Sequence, residues 1–328
     1  MKIVAFRAPE DTTHTPRVGL VLGDERMWWV HPFPEGTDLV ALLAADPRDR
    51  DALADTAAEA DGIRLGDVIV LPPVYPVAMR DFVAFEAHVE GMEKGHGNPG
   101  VPQEWYEAPV FLFMAPHAVV GAFDDVAYLP GTQRFDFELE LAALIVKDVR
   151  NVTPEQARDA IGGYLVMNDW SARDIQGTEM KLKLGPSKGK DFATTIGPWV
   201  VTPDELEHHR DADGFLDLSM SVSVNGTRLG GDTSAHMGWT FEQLVSHCSR
   251  ASWVKAGEVL GSGTCASGSL AESWGRTGQL LPPPLAVGDV VEMTIEGLGT
   301  IRNRIVESHE TLPETPAPRR RQPEPVGS

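Results

Sequence analysis

The 328-residue chain carries 48 acidic against 28 basic side chains, a formal net charge of −20, and such a surface repels phosphate backbones and anionic headgroups, which argues against nucleic acid or membrane partners. Its two cysteines, Cys248 and Cys265, show no CxxC spacing, which reads as a reduced, cytoplasmic protein with buried thiols. No apolar run approaches the roughly 20 residues of a membrane span, and the N-terminus, MKIVAFRAPEDT, has no signal-peptide core.

In chain order, KIVAF, RVGLVLG and MWWVHPF read as short strands, followed by a helical stretch from Asp38 to about Ala60 and by LGDVIVLPPV. Residues 1–75 are therefore expected to form a small β-rich N-terminal domain. Its adjacent Trp28 and Trp29 pack one strand face and cover the other. Pro72, Pro73 and Pro76 mark the boundary, after which RDFVAFEAHVEGMEKGHG reads as a helix ending at its glycines. On that helix Asp81 and His88, seven positions apart, share a face with Phe85 between them. His96 is a second histidine in this region, ranked below His88 because its Gly-rich surroundings suggest a loop. From Asn98 to Gly131 the chain reads as loop, then strand, with Asn98 to Tyr106 a candidate lid.

The segment DFELELAALIV (Asp136 to Val146) alternates acidic and apolar residues, so a strand of period two sets Asp136, Glu138 and Glu140 on one face. Same-face residues lie roughly 6.6 Å apart, close enough for Glu138 and Glu140 to bend onto one cation. A bare ExE is otherwise the mark of a solvated acidic edge. TPEQARDA (Thr153 to Ala160) has a capping residue, a first-turn proline and a following Glu-Gln, a structural helix start. A short strand (GGYLVMN, from Gly162) then ends at Asp169, a further carboxylate beside the acidic strand. An all-oxygen set of this kind suits Mg²⁺, Mn²⁺ or Ca²⁺ better than Zn²⁺ or copper. The pattern SARDIQGTEMKLKL follows as a helix with Arg173 and Gln176 on one face, where Arg173 could pair with Asp174 or Asp169. GPSKGKDFATTIGPW (Gly185 to Trp199) comes next. Later come LDLSMSVSVNGTRL with an Asn225-Gly226 hairpin turn, a helix near Phe241 to Ser249, and His236 as a structural or interface residue. GEVLGSGTCASGSLAESWG reads as a Gly- and Ser-rich loop able to approach a ligand closely, with no GxSxG elbow for a serine nucleophile. After the last strands (GDVVEMTIEGLGTIRNRIVE), residues 308–328 have the Pro-rich, charged composition of a disordered tail.

ELE, NDWSARDIQ and GPSKGKDFATTIGPW together resemble the core signature of the fumarylacetoacetate hydrolase family over about residues 78–307. The resemblance implies an α+β fold, mainly β, with a catalytic domain of rolled mixed sheets behind the small N-terminal domain, assembled as a homodimer. It implies a divalent cation, Mg²⁺ first, on Asp81, Glu138, Glu140 and Asp169. It also implies His88 as general base, Glu272 as its partner, and substrate contacts from Arg173, Gln176, Lys190 and Thr264. The expected function is cleavage of a carbon–carbon bond in an anionic 1,3-dicarbonyl acid, such as a 2,4-dioxo acid, acylpyruvate or fumarylacetoacetate-like compound, with the cation stabilising its enolate. Decarboxylation, isomerisation or hydration of 2-oxo acids in aromatic catabolism is the alternative use of the same site. Val83 and Met180 stand where fumarylacetoacetases tend to carry substrate-touching tyrosines, which points away from fumarylacetoacetate itself and towards an acylpyruvate or another 2,4-dioxo acid.

Overall fold

The computed structural model describes residues 1–11, 15–24, 26–95, 97–98 and 100–319; His96 and the tail beyond Arg319 lie outside the described residues. The first strands, β1 (Lys2–Arg7), β2 (Arg17–Asp24) and β3 (Met27–Pro32), form an antiparallel meander. The helical stretch expected from Asp38 to about Ala60 forms as two helices, α1 (Leu39–Ala44) and α2 (Pro47–Ala58). The reason is Pro47: it sits in the first turn of α2 behind the Asp46 cap, and a residue preceding proline is pushed out of helical geometry. β4 (Ile63–Arg64) and β5 (Ile69–Leu71) complete this part. Trp28 meets Trp199 edge to face at 5.4 Å and Trp29 lies under the Arg64 guanidinium, so both rings pack, as expected.

The stretch around Asp81 differs from its reading as a helix. Residues Met79–Phe82 form a strand, β6, and the helix α3 begins only at Glu86 and runs to Gly95. β6 is held by distant partners, β17 (Val259–Gly261) in parallel and β7 (Phe111–Met114) in antiparallel register, so tertiary pairing overrides the local apolar spacing. Asp81 and His88 therefore do not share a helix face. After β8 (Val119–Val120) and β9 (Val126–Ala127), the acidic segment splits into β10 (Phe135–Asp136) and β11 (Leu139–Ile145).

Beyond it run α4 (Pro154–Ala157), β12 (Ile161–Asp169), β13 (Ser171–Ala172), α5 (Arg173–Glu179) and β14 (Thr194–Val201). The start of α4 carries the expected capping box between Thr153 and Gln156. Next come α6 (Pro203–Leu206), β15 (Ser219–Val224), β16 (Thr227–Thr233) and α7 (Phe241–Ser249). The hairpin of β15 and β16 turns on Asn225 and Gly226, both at positive φ, the backbone an Asn-Gly pair favours. β17, α8 (Leu270–Thr277), β18 (Val290–Ile295) and β19 (Gly299–Val306) end the ordered elements.

The main sheet runs β4-β3-β2-β1-β14-β12-β11-β17-β6-β7, so β1 of the N-terminal meander pairs edge to edge with β14; a second sheet runs β16-β15-β18-β19-β9. This is a strand-rich α+β architecture. β11 and β12 lie at its centre and are buried along their whole length. Leu139, Leu141, Ala143 and Ile145 face one apolar core while Ala142 and Leu144 face another, which is why LAALI reads as a continuous apolar run rather than an alternation. Among the described residues no helix is long and apolar enough to cross a membrane.

Candidate active site

Three strands and one strand break bring four carboxylates to one point: Asp81 from β6, Glu138 from the break before β11, Glu140 from β11 and Asp169 from the end of β12. One oxygen of each lies within 4.8 Å of the others, and all four residues are buried. Glycine makes the convergence feasible. A Cβ on Gly261 would stand 2.8 Å from both an Asp81 and a Glu140 oxygen and 2.2 Å from Met167 Cε. One step on, the Gly263 N–H donates to Asp81 Oδ1 at 3.1 Å and to Glu140 Oε2 at 3.2 Å.

Asp136, expected on the same face as Glu138 and Glu140, is not in this cluster. The chain leaves strand geometry at Phe137 and Glu138, where the Glu138 N–H donates to the Asn168 side chain at 3.0 Å, and this interruption turns Asp136 away. Its oxygens instead accept from Arg173 Nε at 2.8 Å and from the backbone of Leu270 and Ala271 at 2.8 and 2.9 Å. Arg173 also ion-pairs with Glu138 Oε1 at 2.7 Å and donates to Gln176 Oε1 at 3.1 Å. It pairs with neither Asp174 nor Asp169; Asp174 accepts instead from Thr132 Oγ1 and the Gln133 N–H. Lys190 is buried and its ammonium bridges Glu138 and Asp169.

The charge is unevenly compensated. Burial opposes ionisation of Glu138, yet the charges of Arg173 and Lys190 hold its carboxyl well below the usual range. Burial pushes Asp81 up to about 6. Burial, then the charge of Asp81, raises Glu140 well above its ordinary value, and burial with the charge of Glu138 does the same to Asp169 against the pull of Lys190. Oε1 of Glu140 and Oδ1 of Asp169 are buried without a hydrogen-bond partner. Orphaned acceptors in a set of hard oxygen donors fit a divalent cation of the Mg²⁺, Mn²⁺ or Ca²⁺ kind.

Beside the cluster stands His88, buried on α3, its Nδ1 3.1 Å from Glu272 Oε2. Glu272 does not lie in a loop, as its Gly- and Ser-rich surroundings suggested, but on α8, where the Ser269 side chain caps the Glu272 N–H. The S-x-x-E spacing of Ser269 and Glu272 is the signal that marks this helix start. Three groups outside the expected set complete the dyad: the Ser267 N–H donates to Glu272 Oε2 at 2.8 Å, Arg276 Nη2 donates to Oε1 at 2.8 Å, and Gly91 lets α8 approach α3, its added Cβ standing 2.4 Å from Glu272 Cγ. Arg276 stands four past Glu272 on this helix, a spacing that becomes a signal only once the Ser269 cap marks the helix start. Burial alone would raise Glu272, but the hydrogen bond and charge of His88, with Arg276 and the Ser267 N–H, lower it on balance. Thr264 is buried in the loop leaving β17. Met180 is half-exposed and the Val83 carbonyl accepts from Trp105 Nε1 at 2.7 Å, which holds Trp105 against the backbone just ahead of α3. Cys248 and Cys265 are free and buried, and His236 is exposed against Asp232.

Residues 78–306 match the family described as Fumarylacetoacetate (FAA) hydrolase C-terminal. The chain is 31% identical over 199 residues to the 2,4-didehydro-3-deoxy-L-rhamnonate hydrolase of Sphingomonas sp. (strain SKA58), a match spanning 61% of this chain and 65% of that enzyme. The fumarylacetoacetate hydrolase of psychrophilic Exiguobacterium antarcticum superposes with a TM-score of 0.68 at 25% identity, covering 94% of this chain and 100% of that one. The 5-carboxymethyl-2-hydroxymuconate delta-isomerase of Mycobacterium smegmatis has the same fold, with a TM-score of 0.66 at 20% identity and the same coverage.

Proposed function

The chain belongs to the fumarylacetoacetate hydrolase family, and from that premise we propose that it hydrolyses a carbon–carbon bond in a 1,3-dicarbonyl acid of the 2,4-dioxo acid or acylpyruvate class. The observation that carries this reading is the buried His88–Glu272 pair at 3.1 Å beside the carboxylate cluster. A carboxylate accepting at Nδ1 fixes the proton there and leaves Nε2 as the basic nitrogen. His88 would take a proton from water while Glu272, held ionised, steadies the imidazolium that forms. The hydroxide adds to the carbonyl farther from the acid group. Collapse of the tetrahedral adduct breaks the bond between the two carbonyl-bearing fragments, releasing one carboxylic acid and the enolate of a 2-oxo acid, which His88 reprotonates at carbon.

Asp81, Glu138, Glu140 and Asp169 would hold a divalent cation, Mg²⁺ first, which when bound supplies Lewis-acid stabilisation to the charge developing on the dicarbonyl oxygens. Lys190 and Arg173 would keep Glu138 ionised and aimed, and Gln176 and Thr264 would line the acid-binding end. Isomerisation or decarboxylation could use the same carboxylates but has no need of a base for water, so the dyad favours hydrolysis. We further propose a small N-terminal unit ahead of the catalytic one, a cytoplasmic location and a homodimer.

The test is loss of enol absorbance from acetylpyruvate, fumarylpyruvate and fumarylacetoacetate with Mg²⁺ or Mn²⁺, with and without chelator, and oxaloacetate run in parallel. Chelator-sensitive release of two acids supports the proposal. CO₂ release from oxaloacetate with every dioxo acid left intact would move the assignment to decarboxylation.

A further inference from the structure

We infer that Asp136 is a positioning residue that sets the Glu138 corner of the carboxylate cluster against the Glu272 end of the dyad. This rests on the reading of the site given above. Asp136 is fully buried, and a buried carboxylate is costly unless its oxygens are satisfied. Here four N–H donors satisfy it: Phe137 and Leu270 at 2.8 Å on Oδ1, Arg173 Nε at 2.8 Å and Ala271 at 2.9 Å on Oδ2.

The origin of those donors carries the inference. Leu270 and Ala271 open α8, so Asp136 clamps the first turn of the helix whose next residue is Glu272, and its negative charge suits a helix start. Arg173 comes from α5, and its far end reaches Glu138 Oε1 at 2.7 Å. A single path of contacts thus runs from Glu138 through Arg173 and Asp136 to the backbone beside Glu272, and from there to His88 at 3.1 Å. Asp136 touches none of the reacting groups. It acts through Arg173 on one side and α8 on the other, and the break in strand geometry after it is what frees it to do so.

The test is Asp136→Asn, which keeps the side chain's size but turns an N–H group against donors that need an acceptor. Mn²⁺ affinity, measured by electron paramagnetic resonance, should weaken roughly tenfold as Glu138 loses its brace. On a cleaved 2,4-dioxo acid at saturating Mn²⁺, kcat should fall roughly hundredfold, the scale of a misplacement of about 1 Å, with KM within about threefold. In a Glu272→Gln background the same substitution should lower kcat by less than about threefold, because groups acting as one unit are not additive. Equal losses in both backgrounds with Mn²⁺ affinity unchanged would reduce Asp136 to a structural residue and overturn the inference. Should Asp136→Asn not fold, Asp136→Glu, which keeps the charge and shifts it by one methylene, is read the same way. If the wild type binds Mn²⁺ but cleaves no dioxo acid, the proposed reaction fails, while the Mn²⁺ comparison still decides whether Asp136 braces Glu138.

Discussion

Protons and a divalent cation should compete for the carboxylate cluster, and the strength of that competition can be worked from the geometry. Burial carries Asp81 from its ordinary 3.8 to about 6, which corresponds to about 3 kcal/mol of preference for the protonated carboxyl in the folded chain. Asp81 and Glu140 lie within hydrogen-bonding reach of each other, and burial and the Asp81 charge raise Glu140 well above its ordinary value too, so the cluster holds protons at a pH where free carboxylates have lost them. Because the folded value lies above the unfolded one, this protonation favours the fold below about pH 4, and the benefit is lost as pH rises through about 6. A dication that needs the ionised oxygens must expel those protons, so its affinity rises with pH. Calorimetric titration of Mn²⁺ between pH 5 and 7.5, in buffers of different ionisation enthalpy, should show release of at least about one proton per ion at pH 5.5. The dissociation constant should tighten by roughly tenfold from pH 5 to pH 6. Asp81→Asn should flatten that dependence. A wild-type affinity that stays level across the range, with no proton release, would refute the reasoning.

Three further outcomes follow from single contacts. Replacing Gly261 with alanine would drive a Cβ to 2.2 Å from Met167 and 2.8 Å from two cluster oxygens; overpacking of this kind should cost about 1–3 kcal/mol, read as a lower denaturation midpoint, with Mn²⁺ affinity weakened as well. His88→Ala should lower kcat/KM by roughly 10² to 10⁴, the usual contribution of a general base, while leaving Mn²⁺ binding in place; near-full activity would remove His88 from the reaction. Thr153→Ala breaks the capping box with Gln156 at the start of α4, a helix that carries none of the site residues, and should cost about 1 kcal/mol in urea denaturation with kcat unchanged.

Much of the candidate carboxylate cluster was legible because its signals are local. Glu138 and Glu140 come from a two-residue repeat and Asp169 from the end of the next strand, which pairs directly with β11. What escaped was set by distant contacts. Phe82, Phe85 and Val89 have helical spacing, yet β6 exists because β17 and β7, both far along the chain, pair with it. Asp136 reads as one more alternating carboxylate, and only the Asn168 side chain and the start of α8 show why the backbone breaks after it. Glu272 was expected in a loop, and its helix was hidden by Gly and Ser on the approach; the Ser269 cap was the missed cue. Lys190 and Arg173 were expected to face substrate, and the carboxylates of Glu138, Asp169 and Asp136 engage them first.

Hydrolysis by a water molecule activated at His88 is tested most directly by running the reaction on acetylpyruvate in ¹⁸O-labelled water with Mn²⁺ and weighing the products by mass spectrometry. The expected result is acetate carrying one ¹⁸O from the attacking water, formed at the same rate as pyruvate, with both products falling together in His88→Ala. Turnover with no label in a new carboxylate, or label incorporation undiminished in His88→Ala, would contradict it.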